Sequence, residues 1–386
     1  MKLVRITTVP ISLKILLMNQ MKFMQQQKNM TVLMVSADGP EIEAVLKNEA
    51  CPHTIIPFTR TISPLQDLKC LWQLTMFLRR EKPDIVHTHT PKAGLIGMMA
   101  AWLARVPVKI HTVAGMPLMV ESGNKRRLLE FTEKLTYFFA DEVWPNAYSL
   151  LRFIQQHKFT KAEKLRVISK GSSNGILVAN YTPENIDKAL IAQLKTTIKY
   201  DASKFYLVVI GRIVADKGIV ELMEAFKQLQ QAHPQLHLLL LGNYEQALDP
   251  LPQATLDFIQ HNEAITHVPW TNHVAAYLSF SNLLIHASHR EGFPNVLLQA
   301  GAMHVPMVVS DIDGNNDIVT HQKTGLLFKV TDTADIIAQV NYAIENPIQL
   351  NQMAEQLQQE IRLNYSQAVI HEAIYENYQR LLKSKK

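Results

Sequence analysis

The chain has 386 residues, 47% hydrophobic and 19% charged, with a formal net charge of +5. That length exceeds what one hydrophobic core serves and argues for about two domains, while the apolar runs break well short of the ~20 residues that a membrane-spanning helix needs. Two cysteines, Cys51 and Cys70, with no CxxC spacing, exclude a disulfide scaffold and a cysteine metal site and point to reduced, buried thiols.

Charge is uneven along the chain: residues 1–178 hold 24 Lys and Arg against 13 Asp and Glu, and residues 179–386 hold 15 against 21. A basic first half suits phosphorylated substrates, the anionic face of a membrane or nucleic acid. Nucleic acid is not expected as a partner, because no helix-turn-helix, zinc-finger or RNA-recognition pattern occurs. At the start, Arg5, Pro10 and Lys14 interrupt the apolar residues, so a signal peptide is not expected and a cytoplasmic location is.

In chain order, short β-branched runs alternate with helical patterns, which predicts an α/β fold with parallel sheets covered on both faces. Strands are expected at 3–7, 31–36, 84–89, 108–113 and 142–145, with helices at 64–80 and 92–105 among them. These five strands make one doubly wound sheet; Met21, Met24, Met30 and Met34 read as core and loop residues. The run NKRRLLEFTEKLTYFF at 124–139 fits either an interfacial helix or a packing helix with a solvated basic start. Residues 168–182 are rich in Gly, Ser and Asn and serve as a hinge between domains 1–178 and 179–365; Thr182-Pro183 is expected to open the next helix. Six further runs, FYLVVIGRI, LHLLLLGN, AITHVPW, NLLIHAS, PMVVSDI and TGLLFKV, make a second sheet. Helices follow, and the last, 366–386, is expected to pack back on the first domain. Two such Rossmann-like domains face each other across a central cleft lined by strand carboxyl ends, where ligands bind.

Two loops after strands carry the chemistry. Gly211-Arg212 to Lys217-Gly218 precedes the helix ELMEAFKQL, so free amides, a helix dipole and two cations converge on one place, as a diphosphate requires. The spacing matches neither GxGxxG nor GxxxxGK[ST], and solvated helix-start charges remain an alternative for Arg212 and Lys217. After NLLIHAS, Glu291 offers a carboxylate to sugar hydroxyls; Gly292 permits a tight turn, Pro294 suits the first helical turn, and amides around Phe293 and Asn295 face a polar ligand. Asp311-Ile312-Asp313 and His87-Thr88-His89 look like metal motifs but lack a third ligand at a supporting spacing.

Together GRIVADKG, SHREGFPNVLLQAGA, VPMVVSDIDGNNDIV and HQKTGLLF closely resemble the donor-binding domain of family 4 glycosyltransferases, which have the GT-B fold, and VHTHTPKAGLIGMMAAWLARVPVKIHTVAGMP resembles the first domain of the branch that builds capsule, exopolysaccharide and O-antigen units. The resemblance implies retaining transfer of a hexose-type sugar from a nucleotide-diphosphate donor, UDP by family frequency, with no cofactor and no required metal. It implies that Arg212 and Lys217 neutralise the diphosphate, that Glu291 binds the donor sugar beside Gly292, Phe293, Pro294 and Asn295, and that His111 faces that sugar from the first domain. Gln299 replaces the family's second glutamate and can still bond ribose hydroxyls; Asp317 stands where a glutamate is more usual. The Gly-Gly turn common after the first strand is Thr7-Thr8-Val9-Pro10 here, so acceptor contacts there do not carry over. Thr88, His89, Thr90, Lys92 and Gly94 are expected to line the acceptor side, with Lys92 and Gly94 at a helix start holding a second phosphate. The acceptor implied is a lipid-diphosphate-linked saccharide, with peripheral attachment to the inner face of the cytoplasmic membrane. A sugar-nucleotide 2-epimerase of the same fold and a non-catalytic sugar-nucleotide-binding protein stay open as alternatives.

Overall fold

The computed structural model describes residues 1–61, 63–116, 118, 122–247 and 249–385. Two compact units divide them, the first Met1–Gly175 with Gln367–Lys386, the second Ile176–Ser366.

The first unit is built on six parallel strands, β1 (Lys2–Ile6), β2 (Thr31–Ser36), β3 (His53–Ile55), β4 (Ile85–His89), β5 (Val108–Val113) and β6 (Glu142–Pro145), in the order β3-β2-β1-β4-β5-β6. The sequence pattern predicts five of these. It misses β3 because three residues between Pro52 and Pro57 carry no alternation. The final helix, Gln367–Lys383, turns Ile370, Ile374, Tyr378 and Leu381 into the core beside Leu3, Met21 and Met24. Spacing of four, four and three puts the four on one helical stripe, and burying each such side chain is worth about 1.5–3 kcal/mol. Met21, Met24, Met30 and Met34 are all core residues.

The second unit repeats the plan with β7 (Phe205–Ile210), β8 (Leu236–Leu241), β9 (Ile265–Val268), β10 (Leu283–His286), β11 (Met307–Ser310) and β12 (Leu326–Phe328), ordered β12-β11-β10-β7-β8-β9. Both faces of this sheet are covered. Leu207, Leu238 and Leu240 enter one core cluster, while Tyr206, Val208, Leu239 and Leu241 enter the other. An uninterrupted apolar run such as LHLLLL is what a strand buried on both faces requires. One helix start differs from expectation: Thr182 bonds the Val178 carbonyl and only a 3-10 turn follows at Pro183–Asn185. The α-helix begins at Lys188, capped by Asp187, whose carboxylate accepts from the Ala189 amide at 2.8 Å.

In each sheet the strand order reverses between two central neighbours, β1 and β4 in one, β7 and β10 in the other. Loops at such a reversal diverge to opposite faces and leave a crevice at the strands' carboxyl ends. The candidate motifs follow β4, β7 and β10.

Candidate active site

In the second unit, β7 ends at Ile210 and the chain passes exposed Gly211 and a 3-10 turn, Ala215–Lys217, before Gly218 opens the helix Ile219–Ala232. Gly218 is left-handed, with φ 69°, and a Cβ there would stand 2.0 Å from the Ala287 carbonyl oxygen. Glycine lets this loop press against the segment leaving β10. The contact delivers Lys217 to Glu291: Nζ donates to Oε1 at 2.6 Å and approaches Ser288 Oγ at 3.4 Å.

His286 Nε2 reaches the same Glu291 oxygen at 3.0 Å. Burial by itself would raise the Glu291 carboxyl; the hydrogen bond and charge of His286, followed by Lys217, outweigh it and hold the group at about 2. Glu291 is therefore an acceptor-only carboxylate at neutral pH, suited to hydroxyl groups and unsuited to donating a proton. The sequence reading missed His286. Its one signal was a polar residue closing the otherwise apolar strand LLIH.

Arg212 is 41% exposed, with Nη1 3.2 Å from Glu245 and Nη2 3.6 Å from Asp216. Such water-facing pairs are worth about 0–1 kcal/mol, so re-aiming the guanidinium at a bound anion costs little. Asp216 also receives Arg290 at 2.9 Å, and its carbonyl accepts from the His289 amide at 2.8 Å, which fastens the two loops together.

Gly292 and Phe293 form the turn before the helix Asn295–Ala302, and the Phe293 ring packs on Tyr365. Pro294 occupies the N-cap position rather than the first helical turn; Asn295 is the first helical residue and is exposed. Gln299 lies one turn further on, half-buried, and its side chain makes no hydrogen bond among the described residues. Behind the loop, Ser310 Oγ donates to the Ser288 carbonyl at 2.5 Å, and Asn315 Nδ2 donates to the Ser310 carbonyl at 2.9 Å. Asp311 accepts from Asn316 at 3.3 Å.

In the first unit, Thr88 and His89 end β4, and Thr90, with φ 70°, leads into the helix Pro91–Leu103. That positive φ costs a β-branched residue about 1–3 kcal/mol. It aims the Thr90 hydroxyl at Thr8, whose own hydroxyl lies 2.7 Å away. His111, on β5, is buried; its Nδ1 is 2.8 Å from Thr88 Oγ1, and a Cβ on Gly94 would stand 2.4 Å from its Cε1. Gly94 thus makes room for the imidazole, which burial holds down to about 3, and which is neutral at pH 7.

Lys92, expected to hold a phosphate, has partners within its own unit. Its ammonium donates to Asp67 Oδ1 at 2.7 Å, to Thr59 Oγ1 at 3.0 Å and to the Thr61 carbonyl, bracing that loop instead of standing open to a phosphate. His87 is also committed: Nδ1 meets Arg5 and Tyr378, the latter at 2.6 Å, and Nε2 meets Thr112 at 2.7 Å. No group of three or more His, Cys, Asp or Glu side chains among the described residues is placed to share a metal ion.

Residues 193–360 match the family Glycosyl transferases group 1, and residues 24–171 match the Glycosyl transferase 4-like domain. The capsular polysaccharide biosynthesis glycosyltransferase CapM of Staphylococcus aureus is 30% identical over 99% of this chain and 98% of its own length. The UDP-Gal:alpha-D-GlcNAc-diphosphoundecaprenol alpha-1,3-galactosyltransferase of Escherichia coli is 28% identical over 72% of this chain and 70% of its own. Among solved structures, Anabaena HepE in complex with UDP and glucose aligns with a TM-score of 0.80 at 17% identity, covering 98% of this chain and 100% of that one.

Proposed function

Because the chain belongs to the group 1 glycosyltransferases and has the GT-B fold, we propose that it transfers a hexose-type sugar, with retention, from a UDP-sugar to a lipid-diphosphate-linked saccharide in bacterial surface polysaccharide assembly. The observation that carries this reading is the Lys217–Glu291 pair at the start of the helix Ile219–Ala232. A cation beside helix amides suits a departing diphosphate, and an ionised carboxylate one hydrogen bond away suits the hydroxyls of the sugar attached to it.

Lys217 and Arg212 then balance the charge that grows on the leaving diphosphate, in place of a divalent metal. Glu291 orients the donor sugar with the Gly292–Asn295 turn, and Gln299 bonds the ribose. His111, neutral and positioned by Thr88 and Gly94, is the first unit's candidate contributor to the transfer. Thr90 and His89 border the acceptor. The lipid-diphosphate acceptor is supported by the E. coli relative and by a Campylobacter jejuni relative, an N,N'-diacetylbacillosaminyl-diphospho-undecaprenol alpha-1,3-N-acetylgalactosaminyltransferase, 23% identical over 94% of each chain.

The test is incubation with labelled UDP-sugars and a lipid extract bearing diphosphate-linked saccharides, followed by chromatography of the lipid phase. Label in the lipid phase for one donor supports the reading. Release of free sugar alone, from every donor, counts against it.

A further inference from the structure

Arg5 lies within β1 with 1% of its surface exposed, and its guanidinium keeps its charge in a folded protein. Nη1 donates to His87 and to the Tyr378 hydroxyl, the latter at 2.6 Å. Nε and Nη2 are buried and meet no hydrogen-bond partner among the described residues. These two nitrogens form the edge with which a guanidinium grips an anion through two parallel hydrogen bonds.

His89 adds a further donor on the same side of the sheet. Arg5 stands opposite His87 in the register of β1 and β4, and His89, two residues on, shares the face of His87. The two imidazoles stack with centroids 4.5 Å apart. His89 is 1% exposed, and neither of its nitrogens has a partner among the described residues. Burial, followed by the Arg5 charge, holds both histidines well below their ordinary range, so each is neutral and His89 has one N–H to give.

Nothing beside Arg5 supplies the opposite charge. Burial pushes the Tyr378 hydroxyl up to about 12, so it is not a phenolate at neutral pH. Glu49 acts on the guanidinium only from a distance: its oxygens accept from the Asn19 amide at 2.6 Å, the Lys22 amide at 2.9 Å and Asn48 Nδ2 at 2.7 Å. A buried cation left in this condition is strongly unfavourable. A water molecule would answer the hydrogen bonds and leave the charge.

We propose that Arg5 and His89 hold a small monovalent anion of the halide class inside the first unit. One negative charge balances the one guanidinium between neutral imidazoles, and one acceptor takes the Nε, Nη2 and His89 donors together. Burial of both residues excludes a phosphate that is attached to a lipid or a nucleotide. The anion would tie the carboxyl ends of β1 and β4 together, and the inference does not depend on sugar transfer.

Thermal unfolding of the full chain in potassium chloride and in potassium gluconate, whose anion is too large to enter, tests it at equal ionic strength. The transition is expected to rise with chloride along a saturating curve, by about 5 °C at a hundredfold excess over half-saturation. His89→Leu is expected to raise the half-saturating concentration about tenfold, and Arg5→Met to unfold at one temperature in both salts. Bromide anomalous diffraction from wild-type crystals decides the matter even where a variant does not fold, with one peak expected within hydrogen-bond reach of Nε and Nη2. Equal wild-type transitions in both salts, a chloride response kept by Arg5→Met, or bromide at surface cations alone, an adventitious ion only, would overturn the proposal.

Discussion

Lys217 Nζ stands 2.6 Å from Glu291 Oε1, so a cation at one helix start and a carboxylate after the neighbouring strand form a single charged unit. Each side chain is less than one-fifth exposed, which keeps their interaction from being screened away as a surface pair would be. Replacing Lys217 by Ala removes the cation proposed for the diphosphate. Turnover is expected to fall by about two to three orders of magnitude, the cost of losing one preorganised donor. Steady-state kinetics beside circular dichroism checks this; a folded variant with nearly wild-type kcat would remove Lys217 from the machinery.

Gly94→Ala tests the placement of His111. The new methyl would stand 2.4 Å from Cε1, so the imidazole must move or the helix must shift. Activity is expected to drop by about a hundredfold, the cost of misplacing a reacting group by roughly an ångström, with donor binding retained because Gly94 belongs to the first unit. An intact kcat in a folded variant would argue that His111 serves packing.

Acid is expected to weaken the fold through a buried histidine. Burial holds His371 down to about 3, and its Nε2 is 2.7 Å from Asn174 Oδ1. The unfolded chain therefore binds a proton below about pH 6.5 that the folded chain refuses until about 3, so this stability is present above pH 6.5 and is lost as pH falls. Each pH unit in that window costs roughly 1.4 kcal/mol for this residue. Urea unfolding of wild type and His371→Gln at pH 7.5 and 5 is expected to show a shallower pH dependence in the variant. Equal slopes would mean that His371 is not held neutral.

Chelation bears on the charge balance assigned to Arg212 and Lys217. Treatment with EDTA is expected to leave turnover unchanged, whereas a loss restored by added Mg²⁺ or Mn²⁺ would show that cationic side chains alone do not carry the diphosphate.

Much of this was legible in the sequence, and what was not has physical reasons. The strands of the second sheet announce themselves because most are buried on both faces and read as continuous apolar runs, LHLLLL most plainly. β3 escaped, being three residues long. Arg212, Lys217 and Glu291 stood out because each follows a strand end, but the hydrogen bond from His286 to Glu291 depends on a turn whose geometry composition does not encode. The pairing of Arg5 with Tyr378 at 2.6 Å joins residues 373 positions apart, beyond any local pattern. Lys92 at a helix start suits a phosphate and an aspartate equally, and only the fold shows Asp67 beside it.

The proposed transfer joins a sugar from UDP, bound at Lys217 and Glu291, to a lipid-diphosphate saccharide. The most direct measurement is mass spectrometry of the lipid fraction after reaction with each UDP-sugar, with NMR of the anomeric proton of the product. A product heavier by one hexose-type residue, with the anomeric configuration of the donor, is expected from wild type and absent with Lys217→Ala. An unchanged lipid fraction under every donor, or an inverted linkage, would contradict it.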